Sequence, residues 1–254
     1  MTVDLHAAAR TALACLDLTS LNDGDTAADI DALCRRAQTA HGPVAAVCVW
    51  PRFVAQARAA LPAAIKVAAV ANFPDGALDL PRALADIAEI AQAGGDEVDV
   101  VLPYRALLAD QSTEVAEFLS EVRFASRPLT LKVIIESGEL VAPERIAQAT
   151  RLALAAGADF VKTSTGKTAT GATPEAAAVM LKEIKASGLS AAGFKASGGV
   201  RTVADAAGYI AQTRAALGDD ALNPQRLRFG ASGLLTDIEA VLAGSASMAS
   251  TSAY

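Results

Sequence analysis

The chain has 254 residues, 52% of them hydrophobic, with a formal net charge of −6. That length and apolar content suit one large folded core and exclude a disordered chain, and the acidic balance without a long basic run excludes a nucleic-acid backbone as partner. Cys15, Cys34 and Cys48 are odd in number and lack a C-x-x-C pair, so neither a disulfide framework nor a metal site is expected.

In chain order, short Val/Ile/Ala-rich runs predict eight strands at 14–19, 44–50, 66–72, 97–102, 130–136, 160–164, 191–196 and 227–231. Alanine-rich segments with charges at helical spacing predict helices at 26–38, 81–94, 113–126, 143–156, 174–187 and 203–216, several opening on proline or threonine. This alternation implies repeated βα units around a parallel sheet, and eight strands in this length predict a single closed (β/α)8 barrel over 1–254. The small polar residues of 243–254 cannot build a core and are expected to form a mobile tail. The polar start lacks the apolar stretch of a secretory signal and no run of about 18 apolar residues occurs, so a cytoplasmic protein without a membrane partner is expected.

Five ionisable residues interrupt the apolar runs: Asp17, Asp99, Lys132, Lys162 and Lys195. In a barrel the strand ends converge on one solvent-reachable pocket, which is where these residues fall. Period-two alternation places Phe160, Lys162 and Ser164 on one face, so Lys162 points inward with Lys195 beside it on the next strand. Two ammonium groups that close cannot both keep their protons easily. A lysine at its ordinary pKa of about 10.4 is a free amine in only about one molecule in 2,500 at pH 7, and the free amine is the nucleophile. Lowering that value to about 7 needs roughly 4.6 kcal/mol, within reach of partial burial plus an adjacent cation. A carboxylate against the nucleophile would oppose this, so Asp99 is expected to partner Lys195 and shuttle protons without touching Lys162. The alternative is a purely structural ion-pair network.

Glycine loops follow the last three predicted strands: Thr165-Gly166-Lys167, Ser197-Gly198-Gly199 and Gly230-Ala231-Ser232-Gly233. Backbone N–H groups there can approach an anion, and barrels often hold a phosphate on the loops after strands seven and eight. Each loop alone also reads as a tight turn, but three in consecutive units favour phosphate. His6 and His41 lie outside every strand end and read as surface residues. Trp50 and Phe73 read as pocket walls, and Cys48 as a buried apolar thiol. A phosphosugar isomerase or epimerase using an aspartate base, and a non-enzymatic sugar-phosphate sensor, remain open on these features.

Taken together, Leu16-Asp17-Leu18-Thr19, Cys48-Val49-Trp50-Pro51-Arg52-Phe53, Asn72-Phe73-Pro74, Asp96-Glu97-Val98-Asp99-Val100-Val101, Lys132-Val133-Ile134-Ile135-Glu136, Val161-Lys162-Thr163-Ser164-Thr165-Gly166 and Gly193-Phe194-Lys195 resemble the deoxyribose-phosphate aldolases over nearly the whole chain. The resemblance implies a class I aldolase barrel that needs no metal or other cofactor and acts on small phosphorylated sugar and aldehyde substrates. It implies Lys162 as the Schiff-base lysine, Lys195 as the lysine that perturbs it, and Asp99 as a proton relay. Asp17, Lys132 and Thr165 match polar residues of the substrate pocket, while Gly166, Lys167, Gly198, Gly199 and Ser232 match the phosphate site. Tyr254 matches a C-terminal tyrosine that assists proton exchange. A homodimer is one assembly compatible with the chain. Many relatives carry Pro-Ala where this chain has Ala196-Ser197, and a second serine at the position of Gly233. A hydroxyl donor is therefore expected to be lost at Gly233 and gained at Ser197.

Overall fold

Eight parallel strands close on themselves: β1 (Leu16–Thr19), β2 (Ala46–Val49), β3 (Lys66–Ala71), β4 (Glu97–Val101), β5 (Thr130–Ile134), β6 (Phe160–Lys162), β7 (Gly193–Ser197) and β8 (Leu227–Ala231), with β8 pairing back onto β1. They read as nearly continuous apolar runs because both faces are covered, one by the barrel interior and one by helices. The computed structural model describes residues 4–247. All eight predicted strands are present within two residues of their expected ends, as are the six predicted helices.

The helices are α1 (Leu5–Ala14), α2 (Ala27–Arg36), α3 (Val54–Ala60), α4 (Leu80–Gln92), α5 (Tyr104–Leu108), α6 (Ser112–Ala125), α7 (Ser137–Leu140), α8 (Pro143–Ala155), α9 (Pro174–Ala186), α10 (Val203–Leu217) and α11 (Leu234–Leu242). Their starts follow from local chemistry. Thr26 with Asp29 and Thr202 with Asp205 form reciprocal capping boxes on α2 and α10, and proline opens α4, α8 and α9 in the first turn, where no N–H is needed. Sequence periodicity does not single out α1, whose buried face is Ala8, Ala9, Ala12 and Leu13, small residues that let it pack against α10 and α11. The two-stranded ribbon Gln38–Thr39 with Gly42–Pro43 and the short α3, α5 and α7 were likewise not expected from the pattern.

The first residues of the stretch expected to be mobile are tied to α11. Gly244 N–H donates to Val241 O at 3.0 Å and Ser245 N–H to Ala240 O at 2.9 Å. The Ser247 hydroxyl donates to Asp237 Oδ2 at 2.6 Å. Residues 248–254, and with them Tyr254, lie outside the described residues. Among the described residues no helix is long and apolar enough to cross a membrane.

Candidate active site

Strand register puts the charged residues side by side. Lys162 on β6 is level with Lys195 on β7, Lys195 with Arg228 on β8, and Asp99 on β4 with Lys132 on β5. Residues level on neighbouring parallel strands share a face, so these side chains all enter the barrel. Asp17, Asp99, Lys132 and Lys195 are fully buried and Lys162 is 3% exposed.

Asp99 Oδ2 accepts from Lys162 Nζ and from Lys195 Nζ, each at 2.7 Å, while Oδ1 accepts from Lys132 Nζ at 2.8 Å. Lys195 also donates to Asp17 Oδ2. Asp17 Oδ1 and both carboxylate oxygens of Glu97 accept from Arg228. Glu97 Oε2 lies 2.5 Å from Lys132 Nζ. The expectation that Asp99 avoids the nucleophile is thus corrected. Asp99 and Lys162 stand two strands apart, but their side chains cross the barrel interior and meet.

Even so, the amine of Lys162 is shifted towards neutrality. Burial depresses its pKa, Asp99 opposes this, and the ammonium of Lys195 adds to the depression. The leading cause is therefore desolvation, and the neighbouring cation is a smaller effect than the opposing charge of Asp99, the reverse of the emphasis the sequence invites. Lys195 goes the other way. Burial works against its charge, but Asp17 and Asp99 outweigh it and raise its pKa, so Lys195 stays an ammonium. Burial likewise opposes the charge on Asp99, yet Lys132, Lys162 and Lys195 hold its carboxyl well below the usual range. Asp17 is lowered in the same manner by Lys195, Arg228 and Lys132.

Above this cluster opens a cleft of about 330 Å³, and among the described residues Lys162 is the one member of the cluster that lines it. Asp17 and Lys132, expected in the pocket wall, lie beneath it. The cleft rim carries Thr165, Gly166, Lys167, Gly198, Gly199 and Ser232. Gly198 (φ +82°) passes so close to Gly171 that a Cβ would stand 2.9 Å from the Gly171 Cα, which only glycine avoids. At Gly230 a Cβ would lie 2.9 Å from Ser197 Cβ and 3.1 Å from Lys195 Cε, so this glycine keeps room for the second lysine. Helix α11 begins after Gly233 with no side-chain cap, leaving its first N–H groups at the rim to meet an anion. The hydroxyl expected to be gained at Ser197 is not available as a donor, because it donates to Ser164 O and its residue is 3% exposed.

Lys167, expected at the phosphate site, lines the cleft, and its Nζ donates to Leu21 O at 2.7 Å, tying the loop after β6 to the loop after β1. One further residue escapes sequence reading. Glu136, buried at φ +54°, accepts from the Thr165 hydroxyl at 2.6 Å, from Thr165 N–H at 3.3 Å and from the Thr168 hydroxyl at 3.3 Å. Burial raises its pKa, with the Thr165 bonds opposing. Cys48 is buried and burial pushes its thiol up, which keeps it protonated and unreactive at neutral pH. Trp50 and Phe73 pack edge to face at 5.5 Å without lining the cleft, while Trp50 Nε1 donates at 3.1 Å to the carbonyl of Asn22, which does line it. His6 and His41 are exposed.

The model of the DeoC/LacD family aldolases matches residues 11–236. The chain belongs to that family. It is 45% identical over the full length of both proteins to a deoxyribose-phosphate aldolase of Agrobacterium fabrum. Among solved structures, a protein of Toxoplasma gondii assigned as a deoxyribose-phosphate aldolase superposes with a TM-score of 0.86 at 26% identity, covering 96% of this chain and 98% of the other. One of Coccidioides immitis with the same assignment gives 0.79 at 30% identity, covering 91% and 87%. The aldolase is thus an enzyme that makes or breaks carbon–carbon bonds, and neither an isomerase nor a sensor describes it.

Proposed function

We propose that this aldolase reversibly cleaves 2-deoxy-D-ribose 5-phosphate into acetaldehyde and D-glyceraldehyde 3-phosphate through a Schiff base on Lys162. The observation that carries the reading is the buried amine that alone in its charged cluster reaches the cleft, with a second ammonium and a shared carboxylate directly behind it. The full-length likeness to the Agrobacterium fabrum enzyme supports the substrate class.

In the cleavage direction the free amine of Lys162 adds to the sugar aldehyde. Asp99 and Lys195, both within hydrogen-bond reach of Nζ or of its neighbour, supply the proton on which the carbinolamine oxygen departs as water. As a base takes the proton of the C3 hydroxyl, that oxygen becomes the carbonyl of departing D-glyceraldehyde 3-phosphate, and the electron pair of the breaking carbon–carbon bond flows to the iminium nitrogen; the enamine left behind is reprotonated and hydrolysed to acetaldehyde and the free amine. No metal is needed, because the cationic nitrogen is itself the electron sink. Asp17 and Lys132 act from below by holding Lys195 and Asp99 in place. The phosphate is received by Gly166, Lys167, Gly198, Gly199 and Ser232 with the α11 N-terminus, and Thr165 shapes that loop. A role for Tyr254 in proton exchange rests on sequence resemblance alone.

Borohydride added with acetaldehyde should leave a reduced adduct on Lys162, located by peptide mass, and Lys162→Ala should lose both adduct and activity. An intact mass that stays unchanged in the parent enzyme would sink the covalent reading.

A further inference from the structure

The ion pairs do not end beneath the cleft but run the length of the barrel. Glu97 opens β4 and Arg228 stands one residue into β8, at the end opposite the active site, where both line a separate cavity of about 670 Å³. Arg228 Nη2 meets Glu97 Oε1 at 2.8 Å, Arg228 Nη1 meets Asp17 Oδ1 at 2.5 Å, and the chain continues through Lys195 and Asp99 to Lys162. Arg228 is also stacked over the Phe160 ring at 5.5 Å and is 5% exposed, so it is fixed in place.

The charges in this column are matched in one state. Within the hydrogen-bonded column Asp17, Glu97 and Asp99 oppose Lys132, Lys195 and Arg228, three against three, when Lys162 carries no proton; Glu136 stands outside it, bonded to Thr165 and Thr168. A proton on Lys162, or the iminium it later forms, adds an uncompensated positive charge to this buried column, where charge is costly. We propose that Arg228 and Glu97, which touch no substrate, are positioning residues for the reacting amine: from the barrel floor they set the net charge of the interior against which Lys162 reacts. This deepens the Schiff-base reading and rests on it. The groups facing Lys162 directly are Asp99 from β4, Lys195 from β7, Cys48 from β2 and Glu136 beyond β5, and none of them changes in the variants below.

Charge matching makes a signed prediction. Arg228→Met leaves the interior one negative charge in excess, so Lys162 should bind a proton more readily and the acid limb of the kcat/KM profile should move up by about one pH unit, a roughly tenfold loss below the limb. Glu97→Gln leaves one positive charge in excess, and the limb should move down by about the same amount. The double variant Glu97→Gln/Arg228→Met restores the match, and its limb should return close to the parent's even if its kcat is lower. A purely structural pair has no reason to give opposite shifts or mutual rescue, and its second substitution would add damage. Because removing one partner of a buried pair can prevent folding, Arg228→Lys, which keeps the charge and should keep the parent limb, and the double variant decide the matter if Arg228→Met does not fold.

The experiment is the pH dependence of kcat/KM with 2-deoxyribose 5-phosphate, paired with the pH dependence of borohydride capture of acetaldehyde on Lys162. Opposite shifts in the two single variants with return in the double variant are expected. Limbs that stay put, or that move the same way, overturn the proposal while capture in the parent leaves the Schiff-base reading standing. Absence of capture in the parent would sink both.

Discussion

A single oxygen, Oδ2 of Asp99, accepts from both Lys162 and Lys195 at 2.7 Å. A proton can therefore pass between the two amines through one carboxylate without any side chain moving, which suits a reaction that must protonate a departing hydroxyl and then release water. Asp99 also has a cost, since its charge favours the ammonium form of Lys162 and works against burial and Lys195. Asp99→Asn separates these effects. Loss of the negative charge should lower the pKa of Lys162 further and move the acid limb of kcat/KM to lower pH. Loss of the relay should reduce kcat by about 10² to 10⁴ at every pH, the usual range for a general acid–base group. The pH profiles of kcat/KM and kcat check the two parts, and a variant with unchanged kcat would remove Asp99 from proton transfer.

Between β6 and α9 the chain carries the loop proposed to receive the substrate's phosphate, and its shape depends on Glu136. That carboxylate gathers Thr165 and Thr168 from beneath, and Lys167 N–H in turn donates to the Thr165 hydroxyl at 3.0 Å. Glu136→Gln keeps one acceptor but turns an N–H donor towards groups that are themselves donors. Hydrogen bonds to a charged acceptor contribute about 1.5–3 kcal/mol each, so losing one should raise KM for the phosphorylated sugar about tenfold, with kcat within about threefold. The preference over unphosphorylated 2-deoxyribose should narrow, and equal KM increases for both sugars would show that the loop is not what Glu136 holds. The βα alternation and the two lysines are legible in the sequence, because lysine within a period-two apolar run is conspicuous. Glu97 and Arg228 are not, since a charge at the start of a strand reads as solvent-facing until barrel closure shows the two groups facing each other. Glu136 is hidden for a different reason: it looks like the end of β5, but its left-handed φ takes it out of the strand line. The reach of Asp99 to Lys162 depends on side chains meeting across the barrel axis, a distance that register between neighbours does not supply.

Across the whole molecule, a depressed lysine pKa is also a statement about stability. A base that releases its proton more readily when folded than when unfolded makes folding less favourable below its unfolded value of about 10.4; the penalty is full below the depressed folded value and fades as pH rises from there to the unfolded one. Lys162 is such a base, with burial as the first cause. Each unit of depression corresponds to about 1.4 kcal/mol. Lys162→Met keeps the length and apolar stem while removing the amine, and Asp99 keeps Lys132 and Lys195 as partners. The variant should therefore be inactive yet more stable than the parent, with a higher Tm at pH 7. The gain should be present at pH 7 and shrink as the measurement moves towards pH 10, because the unfolded parent then also carries a neutral amine. A variant that melts below the parent at pH 7 would mean that the pairing of Lys162 with Asp99 outweighs its burial, and that the amine is held as a cation when the site is empty.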